Sequence, residues 1–166
     1  MKKNLAVLSV LALALLFAGT SFAQNSANQT VNLVVNSVQR LAITGSPITM
    51  TISAGTVGVD ALTPVTDNST SYSMTHNASS TLRITANLDA ALAAGYTLQV
   101  NLASVRGTSS GTVDISNATA SSAVAVVTGI AHGAEANSAI TYTFSANASA
   151  GVLASTQKTV TLTLTN

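Results

Sequence analysis

The sequence predicts an all-β fold, an antiparallel, immunoglobulin-like β-sandwich of about eight or nine strands, and three observations carry that prediction. The tail from Lys158 to Asn166 alternates Val160, Leu162 and Leu164 with threonines, the period of a strand buried on one face. The same period returns in Ile140-Thr141-Tyr142-Thr143-Phe144, in Leu98 to Leu102 and in Leu82 to Ala86. Between such runs stand clusters of Gly, Pro, Asn and Ser that end ladders, and the one helix-like piece, Asp89 to Gly95, is too short to be more than a connector.

From the N-terminus, Lys2-Lys3, an apolar run from Leu5 to Ala18, and Ser21-Phe22-Ala23 predict a secretory signal peptide over residues 1–23. Its apolar run is shorter than the ~20 residues that span a bilayer, and no later segment would stop transfer, so no membrane span is expected. Cleavage would leave Gln24 to Asn166 as a single secreted domain, periplasmic, cell-surface or extracellular. At roughly 140 residues it can bury about two-thirds of its unfolded surface, enough for one core. With no cysteine, that core stands without disulfides, and a lipid anchor on cysteine is excluded.

Asn25 to Asn28 is polar. Val31, Leu33 and Val35 then alternate with Asn32 and Val34, and the pattern continues through Val38, Leu41 and Ile43, predicting a long first strand broken near Asn36-Ser37. Gly45-Ser46-Pro47 turns the chain into a second predicted strand, Ile48 to Ile52. A loop marked by Gly55 and Gly58 runs past Pro64 to Asn68. Ser71 to His76 is the next strand, with Tyr72 and Met74 on one face. After Leu82 to Leu88, Asp89 can cap a short turn that Gly95 ends. Leu98 to Leu102 and Val113 to Ile115 flank a hairpin turn over Arg106 to Gly111. Val124 to Ile130 is a more continuous apolar run, and Gly129 and Gly133 lead into a loop before Ile140. Residues 148–157 join the last two strands. No strong internal repeat is visible, which argues against a solenoid.

Charge is scarce: 7% of residues are charged and 47% are hydrophobic, the opposite of a disordered chain. The net charge of +1 becomes −1 once Lys2 and Lys3 are removed, leaving Arg40, Arg83, Arg106 and Lys158 against five carboxylates. Four scattered cations make no track for phosphates, so nucleic acid is not expected as a partner.

Catalytic, metal and cofactor sites are not predicted either. Gly107-Thr108-Ser109-Ser110-Gly111 matches G-x-S-x-G, and Asp114 and His132 follow in hydrolase order. A nucleophile elbow, however, needs a strand before it and a helix after it, and here a second strand pattern follows. His76 and His132 lie at no ligand spacing, and Asp60 and Asp67 resemble neither a calcium loop nor an acid pair. Sequons begin at Asn28, Asn68, Asn77, Asn117 and Asn147, of which chance supplies several in a chain rich in Asn, Ser and Thr.

Two binding readings compete with an assembly reading. Glycan faces stack on aromatic rings, but there is no Trp, and Tyr72, Tyr142 and Phe144 sit on apolar strand faces, with Tyr96 besides. Ice binding would use threonine rows such as Thr49/Thr51 and Thr141/Thr143, yet threonine is also simply a good strand former. The third reading starts from a shortage of Lys and Glu, the charges that keep sheet edges from pairing with neighbours. Val31, Leu33 and Val35 could then form an assembly strand donated to another copy, or an ordinary edge strand of their own domain. Val160, Leu162 and Leu164 are the expected core of the final strand.

The signal peptide, the alternating N-terminal strand, the Ser/Thr/Asn/Ala-rich body and the final T-x-T-L-T pattern together resemble bacterial secreted fimbrial and spore-coat-type sandwich subunits. The chain departs from them in lacking a disulfide and in placing Thr165 where chaperone-usher pilins carry an aromatic residue. The resemblance implies a non-enzymatic structural or adhesive subunit that self-associates or joins other surface subunits, with a glycan-binding module as the alternative.

Overall fold

Residues 25–45 and 47–166 are described by the computed structural model, so the predicted signal peptide lies outside the described residues. The chain divides into two units, Met1–Val35 and Asn36–Asn166. In the first, no described residue belongs to a strand. The second is a β-sandwich of two antiparallel sheets, one of five strands and one of four.

The nine strands are β1 (Gln39–Thr44), β2 (Val65–His76), β3 (Leu82–Leu88), β4 (Tyr96–Leu102), β5 (Thr108–Ser109), β6 (Val113–Asp114), β7 (Val124–Ile130), β8 (Gly133–Ala146) and β9 (Val160–Thr165). One sheet has the order β1-β2-β8-β4-β6 and the other β5-β7-β3-β9. In β3 the alternation is complete: Leu82, Ile84, Ala86 and Leu88 are buried, while Arg83, Thr85 and Asn87 point away. Val100 and Leu102 of β4 and Ile140 and Tyr142 of β8 answer them from the other sheet. Tyr72 and Met74 of β2 are buried on one face, as their spacing predicts. In β7, adjacent Val126 and Val127 are both buried, because register shifts against β3 break the two-residue period there. That explains the continuous apolar run.

Several predicted boundaries need correction. The first strand starts only at Gln39, and residues 25–38 form no ladder. Ile48 to Ile52 is not a strand: Ile48, Met50 and Ile52 are half-buried and alternate with exposed Thr49 and Thr51, but no ladder forms. Their side chains follow a strand's period without a strand's backbone pairing. β2 begins at Val65, inside the predicted loop, because its backbone pairs with β8 through a bulge between Asp67 and Thr70. β8 likewise begins at Gly133, where the glycines predict a loop. Asp89 to Gly95 forms no helix; Asp89 instead accepts hydrogen bonds from the amides of Ala90 and Thr159, at 3.0 and 3.1 Å.

The stretch from Arg106 to Gly111 is not a hairpin tip. After β4 the chain crosses to the other sheet, where β5 pairs with β7, and then returns so that β6 pairs with β4. Gly107 permits that crossing, since a Cβ there would lie 2.8 Å from Ile130, Val127 and the Thr128 carbonyl oxygen. The requirement is close approach rather than a turn conformation.

Candidate assembly surface

The N-terminal segment carries the largest exposed aliphatic run among the described residues. Val31 is 66% exposed, and Leu33 and Val35 are each 87% exposed. Isolated apolar residues on a surface are ordinary, but a contiguous run that includes Val34 is the kind of patch that marks an interaction site.

Just beyond that run, Asn77 fixes the point where the chain enters β1. Its Oδ1 accepts from the Val38 amide at 2.6 Å, its Nδ2 donates to the Asn36 carbonyl oxygen at 2.9 Å, and its own amide donates to the Val38 carbonyl oxygen at 3.1 Å. One asparagine thereby supplies the backbone partners that a neighbouring strand would otherwise give. The Nδ2 of this sequon residue is committed to the clamp.

β1 and β9 are edge strands of the two sheets and run beside each other on the same flank. Each has one ladder partner, β2 for β1 and β3 for β9. Leu41 and Ile43 oppose Met74 and Tyr72, so they share the core-facing side, yet Leu41 is only half-buried and Ile43 is 48% exposed. On β9, Val160, Leu162 and Leu164 oppose Leu88, Ala86 and Ile84. Those three β3 partners are fully buried, whereas the β9 side chains pack against the core and stay partly exposed. Both edges therefore present aliphatic side chains beside unpaired backbone, the arrangement that accepts an added strand.

A second feature is a buried polar node. Glu135 is 4% exposed and is surrounded by donors. Tyr72 Oη donates to it at 2.9 Å, Ser104 Oγ at 2.9 Å and the Arg106 amide at 3.2 Å, and Ser138 Oγ donates as well. Burial alone would raise this carboxyl, but the hydrogen bonds from Ser138, Ser104, Tyr72 and Arg106 outweigh it and hold the group below the usual carboxylate range. Burial, with the carboxylate beside it, pushes the Tyr72 phenol up to about 12, against weaker opposing hydrogen bonds from Ser104 and Ser138. The node thus holds one anion among neutral donors. It ties β2, β8 and the loop after β4 together.

The residues of the G-x-S-x-G match are placed apart in role. Ser109 Oγ donates to Asn101 Oδ1 at 3.1 Å and accepts from the Gly111 amide at 3.1 Å. Asp114 accepts from the amide and hydroxyl of Ser116, and His132 is exposed. His76 is buried, its Nε2 donating to the Ala131 carbonyl oxygen at 3.0 Å. Among the described residues no group of three or more His, Asp or Glu side chains is placed to hold a metal ion. No helix among them is long and apolar enough to cross a membrane. Tyr72, Tyr142 and Tyr96 are 0%, 6% and 8% exposed, which leaves the half-buried Phe144 as the most accessible Phe or Tyr ring among the described residues. Comparison with family models, curated proteins and solved structures finds no match for this chain.

Proposed function

We propose that this chain is an exported, non-enzymatic structural or adhesive subunit, a surface, coat or filament component that assembles through its sheet edges. The observation that carries the reading is the exposure of Val31, Leu33 and Val35 on a segment that forms no ladder. Burying an aliphatic side chain of this size is worth about 1.5–3 kcal/mol, so covering three of them offsets much of the cost of immobilising two chains, and backbone ladder bonds at a sheet edge supply the rest of the drive to associate. The exposed aliphatics of the β1 and β9 edges add to it. Glycan binding has less support, because the tyrosine rings on which a sugar would stack are inside.

Negative-stain microscopy of the purified protein, paired with the same protein lacking Gln24 to Val35, tests the reading. Ordered filaments or arrays that disappear with the deletion are expected. A monodisperse wild-type monomer that binds on a glycan array would replace the subunit by the lectin.

A further inference from the structure

We infer that copies of this chain meet end to end in one orientation, the acidic end of one sandwich facing the basic end of the next. The inference rests on the subunit reading above and specifies the direction of assembly. Charge is divided along the strands. At one end β2, β4 and β9 start and β3 and β8 finish. Asp60 and Asp89 lie in loops of that end, Asp114 stands just before another, and Asp67 is two residues into β2. Lys158 is the cation there. At the opposite end Arg40 and Arg83 are the second residues of β1 and β3, and Arg106 reaches the start of β8, where Glu135 is the acid. The side chains of residues 36–166 thus carry −3 at the first end and +2 at the second.

Neutral partners hold most of these charges in place. Asp60 accepts from the amide and hydroxyl of Ser149 at 2.8 and 2.9 Å, and Asp114 from the amide and hydroxyl of Ser116 at 2.8 and 2.5 Å. Arg106 lies across Gly133, where a Cβ would collide with its guanidinium, and donates to the carbonyl oxygens of Ala134 and His132 at 2.6 and 3.0 Å. Groups fixed by uncharged donors and acceptors keep their charge for an outside partner. Each end also carries uncovered aliphatics. At the acidic end Val57, on a turn closed by the Val59 amide and the Thr56 carbonyl oxygen, and Val152 are fully exposed, and Asp60 ties their two loops together. At the basic end Val105 is exposed beside Arg106.

Like ends brought together repel and unlike ends attract, so the charge chooses the orientation. Exposed ion pairs add little affinity, which is left to the aliphatic contacts and the sheet edges. A contact between two different surfaces leaves each copy with one free end of each kind, so it propagates into a ring or an open filament rather than stopping at a dimer. The partner is a copy of this chain because the chain itself carries both complementary ends.

The chain has no cysteine, so single cysteines can mark its ends. Full-length chains carrying Val57→Cys and a size tag are mixed with untagged chains carrying either Val57→Cys or Val105→Cys, and tagged Val105→Cys is mixed with untagged Val105→Cys. Cysteine is itself small and apolar, so neither end gains a polar group. A flexible bis-maleimide then reports which ends meet. At about 0.1 M salt the unlike-end product should exceed both like-end products several-fold, and the excess should shrink at about 1 M salt, where the screening length falls from about 10 Å to about 3 Å. Arg40→Glu combined with Arg83→Glu, both at exposed positions, should abolish the excess at low salt while the thermal melt stays cooperative. Like-end products that match or exceed the unlike-end product, an excess unchanged by salt or by the double substitution, or no product from a wild type that associates by light scattering would overturn the end-to-end assignment and leave the subunit reading standing. A wild type that is monomeric by light scattering would overturn both.

Discussion

Glu135 joins segments that are far apart in sequence. Its donors come from residues 72, 104, 106 and 138, so the carboxylate closes a loop of chain that no local contact would hold. Glu135→Gln keeps the shape but replaces an acceptor-only group by one with two donors, which must face hydroxyls and an amide that already donate. A loss of about 3 kcal/mol is expected in denaturant unfolding at pH 7, since hydrogen bonds to a charged group are worth about 1.5–3 kcal/mol and a buried donor left unpaired costs more. The pH dependence has a definite sign. The folded carboxyl lies below its unfolded value, so the native state holds fewer protons than the unfolded chain as pH passes through the interval between the two. Stability from this group is therefore complete above the ordinary glutamate value of about 4.3 and declines as pH falls through the lower folded value. Wild type should lose more stability between pH 7 and pH 3 than Glu135→Gln; equal losses would mean that other carboxylates govern acid unfolding. Asn77→Ala should cost about 1–2 kcal/mol through two lost hydrogen bonds and speed amide exchange at Val38, while leaving the core pairs slow.

At the scale of elements, β9 is held by half-buried aliphatics at an edge. Leu162→Ala should destabilise by about 1–3 kcal/mol, toward the low end for leucine truncation because the site is open and can relax, and exposed Thr163→Ala should cost under about 0.5 kcal/mol. Equal effects would mean that the two faces of β9 are not distinguished by packing. β3 and the tail were legible from sequence because each is an antiparallel strand with one face buried, and alternation reports that condition directly. Ile48 to Ile52 has the same alternation and no ladder, since the pattern records which side chains are buried and not whether the backbone finds a partner. The start of β2 is the converse case: Val65 to Ser69 follows Pro64 and is mostly polar, and its strand is imposed by pairing with β8. Residues 133–138 of β8 were hidden in the same way, by glycine and polar residues. Glu135 could not be singled out, because its environment exists only after β2, the loop after β4 and β8 meet. Val31, Leu33 and Val35 were conspicuous in sequence as an aliphatic alternation; their exposure required the structure.

At the level of the whole molecule, the sandwich is expected to fold without the N-terminal segment and to associate through it. No ladder of either sheet uses a described residue before Gln39, so a charge introduced at position 33 should leave the fold intact. Buried in an interface between copies, the same charge would carry a desolvation cost of several kcal/mol and prevent pairing. The direct measurement is light scattering across a concentration series for wild type and Leu33→Lys, read beside a thermal melt of each. Mass should rise with concentration for wild type and stay at one chain for Leu33→Lys, with both melting cooperatively at the same temperature. A collapsed melt for Leu33→Lys, or association identical to wild type, would contradict the account.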